Sequence, residues 1–460
     1  MVIKIISSCL NSNDILIESK QCTQSFLGRR PLLKGRRLYF IIDIFYLKWN
    51  RSFLIHFWNV NGSFHSKPLV KFWQKTTNPL HSPLILYKHH PQTTLHTILS
   101  LSLLSSSLLH KYMEQLIPGL PDDIALECLI RLPYNHLSTA SLVCPPWKLH
   151  LRHPDFLRHR KAAGFTTNII VMAQSPPQTN TGKAIPPADS YGLTLYEPDS
   201  GSWSELPPLP GMNRGLPMHC GLVGVGLDLV VIGGYDPETW ESSNAVFVYN
   251  VVSATWRRGA DIPGVRRSFF GCSSDSDRMV LVAGGHDDDK NALRSALAYD
   301  VAEDDWLPVP DMSMERDECK VVFQRGKFHV IGGYQTETQG RFQRSAEAFD
   351  VASWQWDPVN EDLLETTTHP RTCVVGDDGK MYMCRGRDLV EKQGATWQPI
   401  AKLPAELCSG FYLTIWRGKL LLSGTPQKAY TLDIGSRTWT ELVVPAKYCG
   451  LVQSSCCLEI

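Results

Sequence analysis

From about residue 166 to residue 460 the apolar positions fall in short β-branched and aromatic runs, separated by Gly, Pro, Asn and Asp. This is the texture of many short strands joined by tight turns. One run repeats almost verbatim: "VIGGY" stands at 231–235 and again at 330–334, with a third version, "LVAGGH", at 281–286. Behind each Gly-Gly pair a Trp follows at a fixed distance: 23 residues to Trp256, 22 to Trp306 and 24 to Trp356. The full series is Trp203, Trp256, Trp306, Trp356, Trp397 and Trp439, with spacings of 53, 50, 50, 41 and 42. Seven residues before the first four stand Tyr196, Tyr249, Tyr299 and Phe349, and Leu432 holds that place before the sixth. A period of about 40–50 residues with about four short strands per unit fits one blade of a β-propeller. The pattern predicts an all-β, six-bladed propeller over 166–460.

The ends of the array add a closure. The first unit opens at "NIIVMA" (168–173), the strand that elsewhere runs into Gly-Gly, so it lacks a first strand. The tail carries "KYCGLV" (447–452), close to "MHCGLV" (218–223) at the start of the second unit. Residues 448–456 are therefore expected to complete blade one, which removes the open edges of the ring. The unit around Trp397 is degenerate, with "MCRGR" in place of the glycine pair, and the unit around Trp439 keeps only Gly424.

Residues 113–165 have a different rhythm. Pro121 followed by Asp122 and Asp123 is a helix start, and Ile124, Cys128, Leu129 and Leu132 form one apolar stripe. A second short helix follows around Leu137, Ala140, Ser141 and Cys144. So small a unit buries little core alone. Its surplus of Leu, Ile and Trp fits either a surface covered by a partner or a helical cap on the following domain.

Residues 1–112 show neither period over useful lengths. They carry 14 Lys/Arg against three acids, while the remainder carries 32 basic and 42 acidic residues. The segment is expected to be disordered or non-native. It reads as a translated leader before Met113 or as a basic, Ser-rich transit-like extension. A mildly acidic body gives no reason to expect nucleic acid. No stretch reaches the length of a membrane span. The 13 cysteines lack zinc-type CxxC pairs and read as reduced thiols, which points to cytoplasm or nucleus. Cys220, Cys272, Cys319, Cys373, Cys408 and Cys449 fall one per blade near the predicted first strand. They are expected as small apolar residues near the axis, with metal or disulfide chemistry as the sharper reading.

The segment "LPDDIALECLIRLP…LSTASLVCPPW…HPDF" resembles the F-box, the module by which substrate receptors dock on the Skp adaptor of cullin-type ubiquitin ligases. The resemblance assigns adaptor binding to Leu120, Pro121, Asp122, Ile124, Leu129, Leu132, Pro133, Leu142, Val143 and Trp147. Pro145-Pro146 departs from it and is expected to interrupt a helix. The Gly-Gly, Tyr-Asp, Trp order resembles the kelch repeat. The two together resemble a large plant family of F-box/kelch proteins, and the opening of the module is similar to the subgroup that targets phenylalanine ammonia-lyase and cytokinin response regulators. The resemblance implies a non-catalytic substrate receptor of an SCF-type ligase, with the Skp adaptor, cullin and RING subunits and a protein target as partners, no cofactor, no nucleic acid and no membrane. An adaptor-independent scaffold and a metal-dependent kelch enzyme are the alternatives.

For chemistry of its own the chain offers little. The glycine pairs lack the context of a phosphate cradle, and no Ser-His-Asp or paired-carboxylate arrangement is legible. "HDDDK" (286–290) could hold a cation or be a solvated turn. Arg214, Arg267, Arg316 and Arg371 recur in loops entering the first strands. Such a ring of planar donors suits a partner's carboxylates, or else braces the blades. Tyr235 and Trp240, in the insert "GYDPETWESSN", are candidate anchors for a target.

Overall fold

The computed structural model describes residues 40–47, 52–59, 115–177, 191–212, 215–237, 239–365 and 368–460. Within the segment expected to lack structure, β1 (Phe40–Leu47) pairs antiparallel with β2 (Ser52–Asn59), Phe40 opposite Asn59. Both runs are rich in β-branched and aromatic residues, and that bulk supports strands without any alternation to announce them. The rest of 1–112 lies outside the described residues, as does its reading as a leader or transit-like extension.

Four helices open the stretch that begins at residue 115: α1 (Asp122–Ile130), α2 (Tyr134–Ser141), α3 (Pro145–Arg152) and α4 (Pro154–Ala162). Two expectations change here. The buried face of α1 is Ala125, Leu129 and Ile130, and Ile124 is 47% exposed, so the inward stripe is rotated from the expected one. Pro145 and Pro146 do not interrupt a helix; they begin α3, with Cys144 as its N-cap. The first helical positions have no intrahelical acceptor for their N–H groups, so proline costs nothing there.

Six four-stranded antiparallel sheets follow, each in sequence order except the first. Blade 2 (Gly221–Val225, Asp228–Ile232, Val246–Asn250, Thr255–Gly259) and blade 3 (Gly271–Ser274, Met279–Ala283, Ala296–Asp300, Asp305–Val309) are the most regular. In blade 1, Asn168–Gln174 pairs on one side with Gly192–Glu197 and on the other with the closing strand, Val452–Glu459. Closure is thus as expected in kind, with the strand beginning four residues later than 448.

The aromatic periodicity becomes geometry. Tyr196, Tyr249, Tyr299 and Phe349 lie directly across the ladder from Trp203, Trp256, Trp306 and Trp356, with ring centroids 4.6–5.3 Å apart. The indole Nε1 then ties each blade to the one before: Trp256 donates to Pro207 O, Trp306 to Ala260 O, Trp356 to Pro310 O, Trp397 to Leu363 O and Trp439 to Lys402 O, at 2.6–2.9 Å. At the seam the pattern fails. Trp203 Nε1 has no hydrogen-bond partner among the described residues, and its ring stacks on Tyr448 instead, 5.6 Å between centroids.

The glycine pairs are structural punctuation. Gly284 and Gly285 have φ of +65° and +82°; a Cβ on Gly284 would stand 2.2 Å from Arg316 O, and one on Gly285 2.4 Å from Ser268 O. Only glycine permits both the backbone angle and the approach of the neighbouring chain.

Candidate protein-binding surfaces

The helices and the long loops lie at opposite ends of the propeller. The helical core runs into the end of the ring where first and second strands turn, through Leu227 and Val252, and reaches Ile169 and Leu458. Arg160 locks this joint. It is 1% exposed and donates to Ile130 O and Leu132 O, which follow α1, and to Phe165 O and Ile460 O on the propeller side. Burial lowers its pKa to about 10, a charge held in place by four carbonyls. Lys161 adds an ion pair to Glu459 at 2.7 Å. Nothing in the spacing of the sequence marks Arg160, because its partners lie 5 to 300 positions away.

The adaptor residues named by resemblance divide by burial. Leu129, Leu132 and Trp147 are internal, and Trp147 Nε1 donates to Leu116 O at 2.6 Å. They hold the helices together. Asp122 is exposed, but its Oδ1 accepts from Leu116 N at 3.0 Å. Leu120 and Val143 are half-buried, and Pro121, Pro133, Ile124 and Leu142 face solvent, Leu142 at 81%. Leu149, not singled out from sequence, is 70% exposed. Ile124, Leu142 and Leu149 are thus exposed apolar side chains of the helical module.

At the far end the loops surround the mouth of a central channel of about 590 Å³. The four arginines do not form one ring of donors. Arg214 lies outside the described residues. Arg267, 2% exposed, donates to Gly284 O, Ser295 O and Ser295 Oγ, and burial lowers its pKa to about 10. Arg316 is fully buried, donating to Gly332 O, Ser345 O and Ser345 Oγ and pairing with Glu347 Oε1 at 3.1 Å. Both brace their own blades. Arg371 alone is exposed at the channel mouth, donating only to Val452 O and lying 5.6 Å from the centroid of Tyr412.

Tyr235 and Trp240 also part ways. Trp240 is 58% exposed on its loop. Tyr235 is half-buried, and its hydroxyl belongs to a relay that crosses blades 2 to 4. Ser268 Oγ donates to Tyr235 Oη at 2.8 Å, and Ser268 Oγ is 2.9 Å from His286 Nε2. His286 Nδ1 is 2.8 Å from Asp317 Oδ2, and Lys290 Nζ donates to Tyr235 Oη at 2.7 Å. A Ser-His-Asp series thus exists that the sequence did not reveal, since Ser268 and His286 stand at the two ends of a strand pair in blade 3 and Asp317 comes from the loop into blade 4. Ser268 is completely buried and already hydrogen-bonded, so the series acts here as a clasp between blades. The "HDDDK" stretch is a turn, in which Asp287 accepts from Asn291 N and Nδ2.

The channel wall carries sulfur, but from a different set than expected. Cys220, Cys272, Cys319 and Cys373 line it as anticipated. Cys408 is exposed, and Cys449 Sγ donates to Val444 O and Pro445 O outside the channel. Cys456 and Cys457 of the closing strand line the wall in their stead, because that strand begins beyond residue 449. Burial pushes the Cys220 and Cys373 thiols up to about 12 and the Cys272 and Cys319 thiols up to about 11. They remain protonated and poorly nucleophilic at neutral pH. Among the described residues no three His, Cys, Asp or Glu side chains stand together as metal ligands.

Comparison with known proteins agrees with this two-ended design. Residues 117–159, covering α1 to α3 and most of α4, match the F-box domain, and residues 218–263 and 266–313, on blades 2 and 3, match the kelch motif. The F-box/kelch-repeat protein At1g15670 of Arabidopsis thaliana is 46% identical over 358 residues, covering 75% of this chain and all of the relative. F-box/kelch-repeat protein At1g80440 of the same plant is 44% identical with the same coverage. A third Arabidopsis protein of that description, At2g44130, is 35% identical over 57% of this chain and 70% of its own length. With a helical module clamped to one end of a six-bladed ring and the first two relatives matched along their full length, the chain belongs to the plant F-box/kelch-repeat family.

Proposed function

We propose that this protein is the substrate-recognition subunit of an SCF-type ubiquitin ligase. The F-box docks on the Skp adaptor through the exposed Ile124 and Leu142, with Leu149 extending the same apolar supply. The propeller holds a target protein at the opposite end, using Trp240 and the loops around the channel mouth. The observation that carries this reading is the separation of the two surfaces: the joint through Arg160 fixes the helices at one end of the ring, and the long loops ring the other. A rigid bridge of this kind raises the effective concentration of target lysines near the ligase without bond chemistry of its own. Pro145 and Pro146 start a helix rather than break one, which supports the adaptor reading over an adaptor-independent scaffold.

By resemblance of the module's opening to one subgroup, phenylalanine ammonia-lyase is the target proposed first, which would place the protein in phenylpropanoid regulation, and a cytokinin response regulator second. Cytoplasm and nucleus are the compartments where such targets and reduced thiols meet. The test is co-purification of the full chain with a plant Skp adaptor. The wild type is expected to capture it and Leu142→Asp to lose capture while keeping its unfolding midpoint. Absence of capture by a folded wild type would end the ligase reading. Stabilisation of phenylalanine ammonia-lyase when the protein is depleted tests the target, and an unchanged half-life would remove it.

A further inference from the structure

The channel lining holds two cations, Lys320 and Arg371, and one carboxylate, Glu318, that pairs with neither of them. Lys320, half-buried at the start of the first strand of blade 4 (Lys320–Gln324), places its Nζ 5.6 Å from the centroid of Tyr412. Arg371, from the loop before blade 5, places its guanidinium carbon 5.6 Å from the same centroid. Among the described residues neither forms an ion pair, and Arg371 makes one hydrogen bond, to Val452 O. The nearby acid, Glu318, is already engaged: Oε2 pairs with His369 Nε2 at 3.2 Å and Oε1 accepts from Tyr334 Oη at 3.0 Å. A ring face attracts a cation, but two cations at one ring repel each other, more strongly in a channel than in water. A half-buried ammonium without a counter-ion is a costly arrangement.

The geometry points to a small organic carboxylate as the missing partner, its head between Lys320 and Arg371 and an aromatic body against the rings that line the mouth. Phe269 lies 4.5 Å from the His219 ring, and both line the channel with Tyr412. The volume of about 590 Å³ falls in the range of small-ligand sites, about 300–1,000 Å³. This site lies at the end away from the F-box and is independent of whether the adaptor binds. It would let a metabolite alter the surface that the propeller offers to a target.

Calorimetric titration of the full chain with benzoate and with neutral benzamide tests the assignment. Benzoate is expected to bind at least about tenfold tighter than benzamide, and Lys320→Met to lose that preference while unfolding at or above the wild-type temperature. If Lys320→Met fails to fold, Arg371→Gln, on an exposed side chain, is expected to weaken benzoate in the same direction. Three results would overturn the proposal: no benzoate binding at millimolar concentration, equal binding of benzamide, or binding that both variants leave unchanged. Inorganic phosphate binding as tightly as benzoate would reduce the site to a general anion trap and overturn the aromatic body. Lys320-dependent binding of an acidic peptide without benzoate binding would transfer the carboxylate to the target protein and overturn the small-molecule site.

Discussion

Arg316 and Arg371 occupy the same place in successive repeats and have opposite fates. In blades 3 and 4 the arginine that enters the first strand reaches the carbonyl of the first glycine of the pair and a serine on the loop beyond it: Gly284 and Ser295 for Arg267, Gly332 and Ser345 for Arg316. Blade 5 has Cys384 and Arg385 where the pair should be, and its second and third strands (Met381–Arg385, Asp388–Gln393) are joined by a tight turn without that loop. Arg371 finds no such acceptors. It turns to the channel mouth. A repeat that loses its glycine pair thus releases a brace, and its arginine faces the channel mouth instead.

The largest test of this contrast is Arg316→Met against Arg371→Ala. Glu347, 2% exposed, would lose its only ion-pair partner among the described residues, at a cost of about 3–5 kcal/mol. Arg371→Ala is expected to change stability by no more than about 0.5 kcal/mol. Urea unfolding of both variants measures the gap, and similar losses would erase the distinction between brace and donor. Next in size, Gly284→Ala meets Arg316 O and is expected to cost about 3 kcal/mol. Gly386→Ala in blade 5, also at positive φ but in open space, should cost about 1 kcal/mol. Smaller again, Trp306→Phe removes the hydrogen bond to Ala260 O and should lose about 1 kcal/mol more than Trp203→Phe, whose indole bonds to nothing described.

The smallest effect is a titration. Desolvation at the channel mouth first, and the Arg371 charge second, hold the His219 pKa below its ordinary value of about 6.5. The unfolded chain therefore takes up this proton more readily than the folded one. The stabilisation from a neutral His219 is complete above about pH 6.5 and fades as pH falls toward the lowered value. Arg371→Ala should raise the His219 pKa, visible in its ring NMR shifts, and narrow that window. No movement would place the guanidinium away from the imidazole.

The propeller was legible because its signals recur. Each blade repeats an apolar run, a turn and a Trp, so a weak local pattern gains strength from being met several times, and even the missing first strand could be located. The fifth unit broke the count for a visible reason: a shorter final turn sets Lys392, five residues before Trp397, across from it. The helical module was legible in outline but not in rotation, since Ile124 and Ala125 are equally apolar neighbours and packing decides which turns inward. The site was least legible. Whether a loop arginine braces or faces the channel depends on an acceptor in another segment, and the Ser268, His286 and Asp317 series exists only once blades 3 and 4 stand side by side. The sequence pattern singled out the loop arginines but could not separate a brace from a channel-facing donor.

The closing strand has a consequence for the order in which the molecule is made. Thr166 Oγ1 and Glu459 Oε1 meet at 2.8 Å although 293 positions separate them. At about 5–20 residues per second, the ribosome delivers the second on the order of 15–60 s after the first. During that interval the F-box helices and five later blades can form, while blade one waits as a three-stranded sheet with an unpaired edge that invites association with other chains. The nascent chain would thus expose its F-box helices before its ring can shut, and arrival of residues 452–459 becomes the event that turns a string of blades into a closed ring.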